Sequence, residues 1–207
     1  MAISPDLELI KRIKAIADTG LVFAESGYDL ERYEELKEIS LNLLASMADR
    51  PLKDIRNSFL PVTEYPTPKV DVRALVLNES QEILMVRESA DGKWTLPGGW
   101  ADIGYSPAES VLKEVREETG LQCKVIRLLT LYDKQRHPHP PQPLYIYKLN
   151  FLCEIIGGQL QKGFDMKGAG FFNIDQLPEL SEDRILAGQI KQLYRMTIEN
   201  DYKVYFD

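Results

Sequence analysis

The N-terminal part of the chain shows apolar residues at helical spacing. Between Leu7 and Ala48 they recur three or four positions apart, first at Leu7, Ile10, Ile13, Ile16 and Ala17 and then at Leu36, Ile39, Leu43, Leu44 and Met47. Such a stripe forms the buried face of an amphipathic helix. Gly20 and Gly27 interrupt the stripe, so the pattern predicts two or three helices, one of them capped by Asp29.

A proline-rich stretch separates this helical region from the rest of the chain. PVTEYPTPK, residues 61–69, carries three prolines in nine positions, which neither a helix interior nor a central strand tolerates. We therefore predict a linker here. Residues 1–62 would form a small helical domain, and residues 63–207 a larger one.

Beyond the linker the pattern changes to short runs rich in β-branched residues. VDVRALVLN and EILMVRES flank a polar turn and predict a β-hairpin. KVIRLLTLYD, LYIYKLNFLCEII and GAGFFNI predict further strands, and SEDRILAGQIKQLYRMTI predicts a helix that begins at Ser181. Strands combined with helices indicate an α/β or α+β sandwich, and 207 residues with 44% hydrophobic positions suffice for its core.

A further helix is predicted for SPAESVLKEVREETGL, with sequence signals for both its first and its last residues. Ser106 suits the N-cap, Pro107 the first helical position, and Glu109 completes a capping box. Gly120 suits the left-handed position after the last turn. The core-facing stripe of this helix is predicted to contain Ala108, Val111, Leu112, Val115 and Thr119.

Three glutamates lie beside that stripe. Glu114, Glu117 and Glu118 are spaced at i, i+3 and i+4, so their charges repel by roughly 0.2–0.5 kcal/mol per pair. A hard divalent cation, Mg²⁺ or Mn²⁺, would relieve this repulsion; an ordinary solvated acidic face is the alternative. Gly98 and Gly99, just upstream, favour the metal site because a glycine pair lets the backbone approach a ligand closely.

Taken together, GGWADIGYSPAESVLKEVREETGL resembles the Nudix box. Matching positions are Gly99, Glu114, Val115, Glu117, Glu118, Gly120 and Leu121. Two positions depart from the box: Tyr105 stands where it has its first Glu, and Lys113 where it has Arg. Because Lys113 is a point charge without a planar fork, it is a poorer substitute for orienting the acids. We hypothesise that Glu109, four residues earlier, partly replaces the missing Glu as its partner.

The first 60 residues carry a second resemblance. IKAIADTGLVF followed by GYDLERYEELKEIS is similar to the helical N-terminal domain of bacterial Nudix proteins that hydrolyse nucleoside diphosphates linked to another group X. CDP-choline and ADP-ribose pyrophosphatases are examples. The resemblance implies a Nudix α/β/α sandwich with a mixed sheet, a preceding helical domain that supports a homodimer, and cleavage of a diphosphate bridge into two monophosphates.

The resemblance also implies roles for particular residues. Glu114, Glu117 and Glu118 would bind the Mg²⁺ or Mn²⁺, with the base that activates water being either Glu118 or Asp165, the carboxylate of QKGFDMKGAGFF. Substrate contacts are expected from Arg73, Arg136, Gly98 and Gly99. An alternating strand face explains Arg73 equally well as a phosphate-binding fork does.

Composition indicates which binding partners and which cellular compartment to expect. A net charge of −7 without a basic run argues against tight binding of duplex nucleic acid. Cys123 and Cys153 lie in apolar surroundings and predict reduced thiols. The N-terminus lacks the apolar run of a signal peptide or membrane span, so we expect a cytoplasmic protein. A nucleotide-derivative sensor without turnover and an RNA-end processing enzyme remain as alternative functions.

Overall fold

The computed structural model describes residues 5–59 and 61–207. It divides into two compact units, the first containing the helical region through Pro68 with Pro141–Tyr145, the second containing Lys69–Pro140 and Ile146–Asp207. Residues 61–68 carry no regular secondary structure. The domain boundary between residues 62 and 63 stays a prediction.

The first unit contains three helices, α1 (Pro5–Phe23), α2 (Gly27–Ala48) and α3 (Leu52–Asn57). Its core consists of Leu7, Ile10, Leu41, Leu44, Ala45 and Ile55. The N-cap of α2 is Ser26 and not Asp29. Asp29 instead lies inside the first turn, where its carboxylate pairs with Arg32 three residues later.

The second unit contains two sheets and two α-helices. The five-stranded sheet runs in the order β4 (Gly98–Trp100), β1 (Lys69–Val76), β6 (Ile146–Gly158), β5 (Leu121–Asp133) and β8 (Tyr205–Phe206). The three-stranded sheet runs in the order β3 (Trp94–Thr95), β2 (Ile83–Glu88) and β7 (Met166–Phe172). The larger sheet is mixed, because β1 with β6 and β5 with β8 pair in parallel, whereas its other pairs are antiparallel.

The predicted hairpin of β1 and β2 is wrong. β1 pairs with β6 along one edge and with β4 along the other, so no edge of β1 remains for a full ladder with β2. β2 pairs with β3 and β7, and an isolated bridge joins Leu77 to Ile83. The turn between the two strands was predicted correctly, since Asn78 and Glu82 are joined by a backbone hydrogen bond of 3.1 Å.

Two helices cover the sheets, α4 (Pro107–Thr119) and α5 (Ala187–Ile198). Val111 and Val115 of α4 pack in a core cluster with Val72 and Phe151. A second cluster joins α5 to the strands through Leu75, Ile83, Met85, Ile190 and Leu193. The α/β fold with a mixed sheet and preceding helices is therefore confirmed.

The start predicted for the last helix is wrong. α5 begins at Ala187, and the residues from Ser181 onward form turns. The Ser181 hydroxyl donates to Asp91 Oδ2 at 2.6 Å, and its backbone N–H donates to Trp94 O at 2.8 Å. Ser181 is therefore fixed by contacts with the segment around Asp91 and Trp94, six residues before the helix begins.

Candidate active site

Helix α4 has the ends that its sequence predicts. Ser106 Oγ accepts from the Glu109 N–H, and Glu109 Oε2 accepts from the Ser106 N–H at 2.8 Å, which completes the capping box. Gly120 adopts φ +70° and closes the helix by donating to Arg116 O. The caps fix both ends of the segment that carries the three glutamates.

Lys113 has a partner other than the one we hypothesised. The Glu109 carboxylate is occupied by the capping box, whereas Lys113 Nζ donates to Asp102 Oδ2 at 2.6 Å. Lys113 Nζ also lies 4.0 Å from Glu117 Oε2. The hypothesis about Glu109 is therefore wrong, and Asp102, in the turn before α4, holds the lysine beside Glu117.

The glycine pair of β4 brings the backbone against two of the three carboxylates. The Gly98 N–H donates to Glu118 Oε2 at 2.8 Å. A Cβ at Gly98, where φ is +144°, would lie 2.0 Å from the carbonyl oxygen of Val72, and a Cβ at Gly99 would lie 2.7 Å from Glu114 Oε1. No other residue type fits either position without a shift of its neighbours.

The three glutamates differ in exposure and therefore in electrostatics. Glu118 is 8% exposed, and burial raises its pKa to about 8, although the Arg73 cation and the Gly98 N–H act in the opposite direction. Burial likewise raises the pKa of Glu114, again opposed by Arg73. The Glu117 side chain is 59% exposed. Two desolvated carboxyl groups next to an exposed one form a region where a cation is strongly favoured.

Arg73 is buried and its fork is occupied. Its Nε and Nη2 donate to the two oxygens of Asp71 at 3.1 and 2.9 Å, and its Nη1 donates to Leu96 O at 3.0 Å. Lys148 Nζ also donates to Asp71 Oδ1, at 2.5 Å. Burial alone would raise the pKa of Asp71, but Arg73 and Lys148 hold it at about 2.

This arrangement gives Arg73 an electrostatic effect on the acids of the site. The phosphate contact stays a prediction, while the structure shows a buried cation whose charge lowers the pKa of Glu118 and Glu114. Sequence reasoning missed Asp71 and Lys148. The available signal was the polar residues at alternate positions of VDVRALV, which predict that Asp71 and Arg73 share one face.

The loop between β6 and β7 is fastened to the end of α4. Gln161 N–H donates to Thr119 O at 2.9 Å, and Gly163 N–H donates to Glu118 O at 2.8 Å. Asp165, two residues further, is exposed, and its carbonyl oxygen accepts from Ser89 Oγ. Its role as a base stays a prediction.

Arg136 lies in a 3₁₀ turn, Lys134–Arg136, directly after β5. Its side chain is exposed. A substrate contact by Arg136 stays a prediction.

The donor set fits a hydrated hard cation better than a closed metal cage. Across residues 5–59 and 61–207, no three His, Cys, Asp or Glu side chains converge into a ready metal-binding group. Mg²⁺ usually keeps several waters and uses one or two carboxylates together with substrate phosphates. Glu114, Glu117 and Glu118, on one helix with two of them desolvated, match that requirement.

The two cysteines are free, Cys153 being buried and Cys123 partly buried. This agrees with the predicted reduced thiols. No described helix is both long enough and apolar enough to cross a membrane.

Comparison with known proteins identifies the catalytic unit. The NUDIX domain family model matches residues 67–193. The chain belongs to the Nudix family. The family model described as "UDP-X-like, N-terminal oligomerisation domain" matches residues 5–59 of this Nudix protein, so both expected resemblances are confirmed.

Relatives of this Nudix hydrolase have related names. "Putative ADP-ribose pyrophosphatase YjhB" of Bacillus subtilis (strain 168) is 43% identical over 201 residues, covering 97% of this chain and 96% of that protein. A crystal structure of a UDP-X diphosphatase has 37% identity and a TM-score of 0.64, with 100% of both chains covered. The structure of an ADP-ribose pyrophosphatase from Streptococcus suis 89-1591 has 35% identity and a TM-score of 0.62, covering 68% of this chain and 100% of that one. The expected class of enzyme, a Nudix pyrophosphohydrolase, is thereby confirmed.

Proposed function

We propose that this enzyme uses Mg²⁺, or Mn²⁺, to hydrolyse the diphosphate bridge of a nucleoside diphosphate linked to X, releasing a nucleoside monophosphate and phospho-X. The observation that carries the proposal is the contact of the glycine turn with the acids: Gly98 donates to Glu118, and a Cβ at Gly99 would lie 2.7 Å from Glu114 Oε1. The names of the relatives support ADP-ribose or a UDP-X compound as substrate. The proposal of CDP-choline as a substrate rests on sequence resemblance alone.

Each acidic residue has a distinct part in this proposal. Glu114, Glu117 and Glu118 hold the divalent ion, which when bound supplies charge neutralisation for the diphosphate and lowers the pKa of a bound water. The Gly98 N–H fixes the direction of the Glu118 carboxylate. Asp102, through Lys113, keeps a cation beside Glu117, where it offsets the repulsion among the three glutamates.

Two residues are candidates for the base that takes the proton from water. In the metal-free protein, burial raises the pKa of Glu118 to about 8; a divalent ion bound at its carboxylate would lower this pKa and leave the group unprotonated, as a general base requires. Asp165 is exposed on the loop that Gly163 fastens to the end of α4. Loss of a general base lowers kcat by about 10²- to 10⁴-fold, so Asp165→Asn separates the two candidates. A fall of this size at an unchanged Mg²⁺ requirement assigns the base to Asp165, whereas wild-type kcat assigns it to Glu118.

Homodimer formation through the helical unit is part of the same proposal. Its helices leave large apolar side chains exposed, among them Leu9, Ile16, Ile39, Leu43 and Met47, and the matching family model is described as an oligomerisation domain. Light scattering of the full chain should give twice the monomer mass of 23.7 kDa. A monomer at micromolar concentration would contradict this part. We also infer a cytoplasmic location from the free thiols.

The test of the function is phosphate release, after coupling to a phosphatase, from a substrate panel with Mg²⁺ or Mn²⁺. The panel contains ADP-ribose, UDP-glucose, CDP-choline, NADH, diadenosine polyphosphates, nucleoside triphosphates and 5′-capped RNA. Preferential cleavage of a nucleoside diphosphate–X compound is expected, with loss of activity in Glu117→Gln. The matched control Glu154→Gln changes an exposed carboxylate of β6 that pairs with Lys124 and should retain activity.

Two results would overturn the proposal. A folded protein that binds a panel compound without cleaving it would establish the sensor alternative. Preferential release from capped RNA would establish RNA-end processing.

A further inference from the structure

A groove of about 640 Å³ runs along α4 beside Glu117. Seven residues line it: Tyr105, Leu112, Lys113, Arg116, Glu117, Gln122 and Cys123. They come from the turn before α4, one face of α4 and the first residues of β5. Of the three acids proposed to hold the metal, Glu117 lines the groove, whereas Glu114 and Glu118 do not.

Part of the groove lining is apolar. Leu112 and Cys123 are both partly buried. Burial raises the pKa of the Cys123 thiol to about 11, so this side chain is neutral at physiological pH. The amide of Gln122 is exposed at the edge. The groove therefore offers an apolar surface with hydrogen-bonding groups around it.

Two cations and an aromatic ring form the remaining rim. Tyr105 is 52% exposed, and Lys113 Nζ lies over its ring, 5.6 Å from the ring centre. Arg116 is exposed. Within residues 5–59 and 61–207, its guanidinium has no hydrogen-bond or ion-pair partner.

We propose that this groove binds the X group and that Arg116 makes the enzyme select a neutral sugar over a cationic X such as choline. The proposal rests on the proposed function and names its class of substrate. A sugar can place a C–H face on Tyr105 and its hydroxyls against Arg116 and Gln122. A quaternary ammonium would instead meet the Arg116 guanidinium, with Glu117 committed to the metal, whereas the charge of Lys113 is balanced by Asp102.

The experiment compares two substrates with the same nucleotide, ADP-ribose and ADP-choline, in wild type, Arg116→Gln and Arg116→Glu. An exposed charge pair changes affinity by about 2- to 5-fold. The preference for ADP-ribose, as a ratio of kcat/KM values, should therefore fall about 3-fold in Arg116→Gln and about 10-fold in Arg116→Glu. Most of the change should appear in KM, because Arg116 contacts a part of the substrate that does not react.

Lys124→Gln and Lys124→Glu are the matched controls. Lys124 directly follows Cys123, but its side chain pairs with Glu154 at 3.1 Å and lies outside the groove. These variants make the same changes in charge and should leave the preference unchanged. If the Lys124 and Arg116 variants had equal effects, the net charge of the protein alone would explain the change in preference, and the proposal would be overturned.

The outcomes also separate this proposal from the proposed function. Cleavage of ADP-ribose with an unaltered preference in Arg116→Glu overturns the role of the groove and leaves the hydrolase intact. Wild-type preference for ADP-choline overturns it as well. If the wild-type protein cleaves no compound of the panel, the proposed hydrolase function is refuted, and the assignment of the groove fails with it.

Discussion

Replacing Glu118 by Gln should stabilise the metal-free protein at alkaline pH while it damages catalysis. Burial raises the pKa of Glu118 from 4.5 to about 8. Below pH 4.5 the group is protonated in both the folded and the unfolded protein. Between pH 4.5 and 8 only the folded protein keeps the proton, so the free energy of unfolding falls as pH rises. The full interval corresponds to roughly 5 kcal/mol.

The amide removes this pH-dependent loss but introduces a smaller one. The amide oxygen of the new side chain can still accept from the Gly98 N–H, as the Glu118 carboxylate does, whereas its NH₂ group adds buried donors that cost about 1–3 kcal/mol if they lack partners. The net gain for Glu118→Gln should be about 2–4 kcal/mol at about pH 8.5. At about pH 4 the variant should be less stable than wild type by about 1–3 kcal/mol.

Urea unfolding in the presence of a chelator measures these differences. Glu117→Gln is the matched control, since its exposed side chain should change the free energy of unfolding by less than about 0.5 kcal/mol. Added Mg²⁺ should stabilise wild type more than Glu118→Gln, because the ion binds the folded state. An equal dependence on pH in wild type and Glu118→Gln would refute the reasoning.

Three further substitutions test separate parts of the structure. Gly98→Ala places a Cβ 2.0 Å from the Val72 carbonyl oxygen at φ +144°, so the free energy of unfolding should fall by about 2–5 kcal/mol; an unchanged urea midpoint would contradict the close approach. Ser106→Ala removes the N-cap of α4 and should cost about 1 kcal/mol, seen as a lower Tm, whereas an unaltered Tm would show that the capping box is dispensable. Asp71→Asn leaves the buried cations of Arg73 and Lys148 without their carboxylate and should destabilise by about 3–5 kcal/mol; chemical denaturation within about 1 kcal/mol of wild type would count against a buried ion triad.

The helix that carries the glutamates could be predicted closely because its signals are local. Ser106, Pro107, Glu109 and Gly120 each act on backbone groups within four residues, and such short-range hydrogen bonds can be read directly from sequence. Three of the strands could be predicted from local signals as well, because β5, β6 and β7 coincide with runs of β-branched and aromatic residues.

The errors concern partners that are distant in the sequence. Alternation in β1 indicates which residues share a face, but not that β6 and β4 occupy both of its edges. Ser181 has the sequence signal of a helix cap, yet its hydroxyl binds Asp91, 90 residues earlier. The same limit hid the partners of the candidate site. Lys148, which binds Asp71 together with Arg73, lies 77 residues beyond that aspartate.

The fastening of the β6–β7 loop to α4 constrains how this enzyme can be rebuilt. A Cβ at Gly163 would lie 2.3 Å from the Glu117 carbonyl oxygen, so that loop position accepts only glycine while the helix keeps its path. Helix and loop therefore have to be exchanged together in a chimaera. A graft of residues 98–120 from a relative would require residues 159–163 of the same donor, although almost 40 residues of chain separate the two segments.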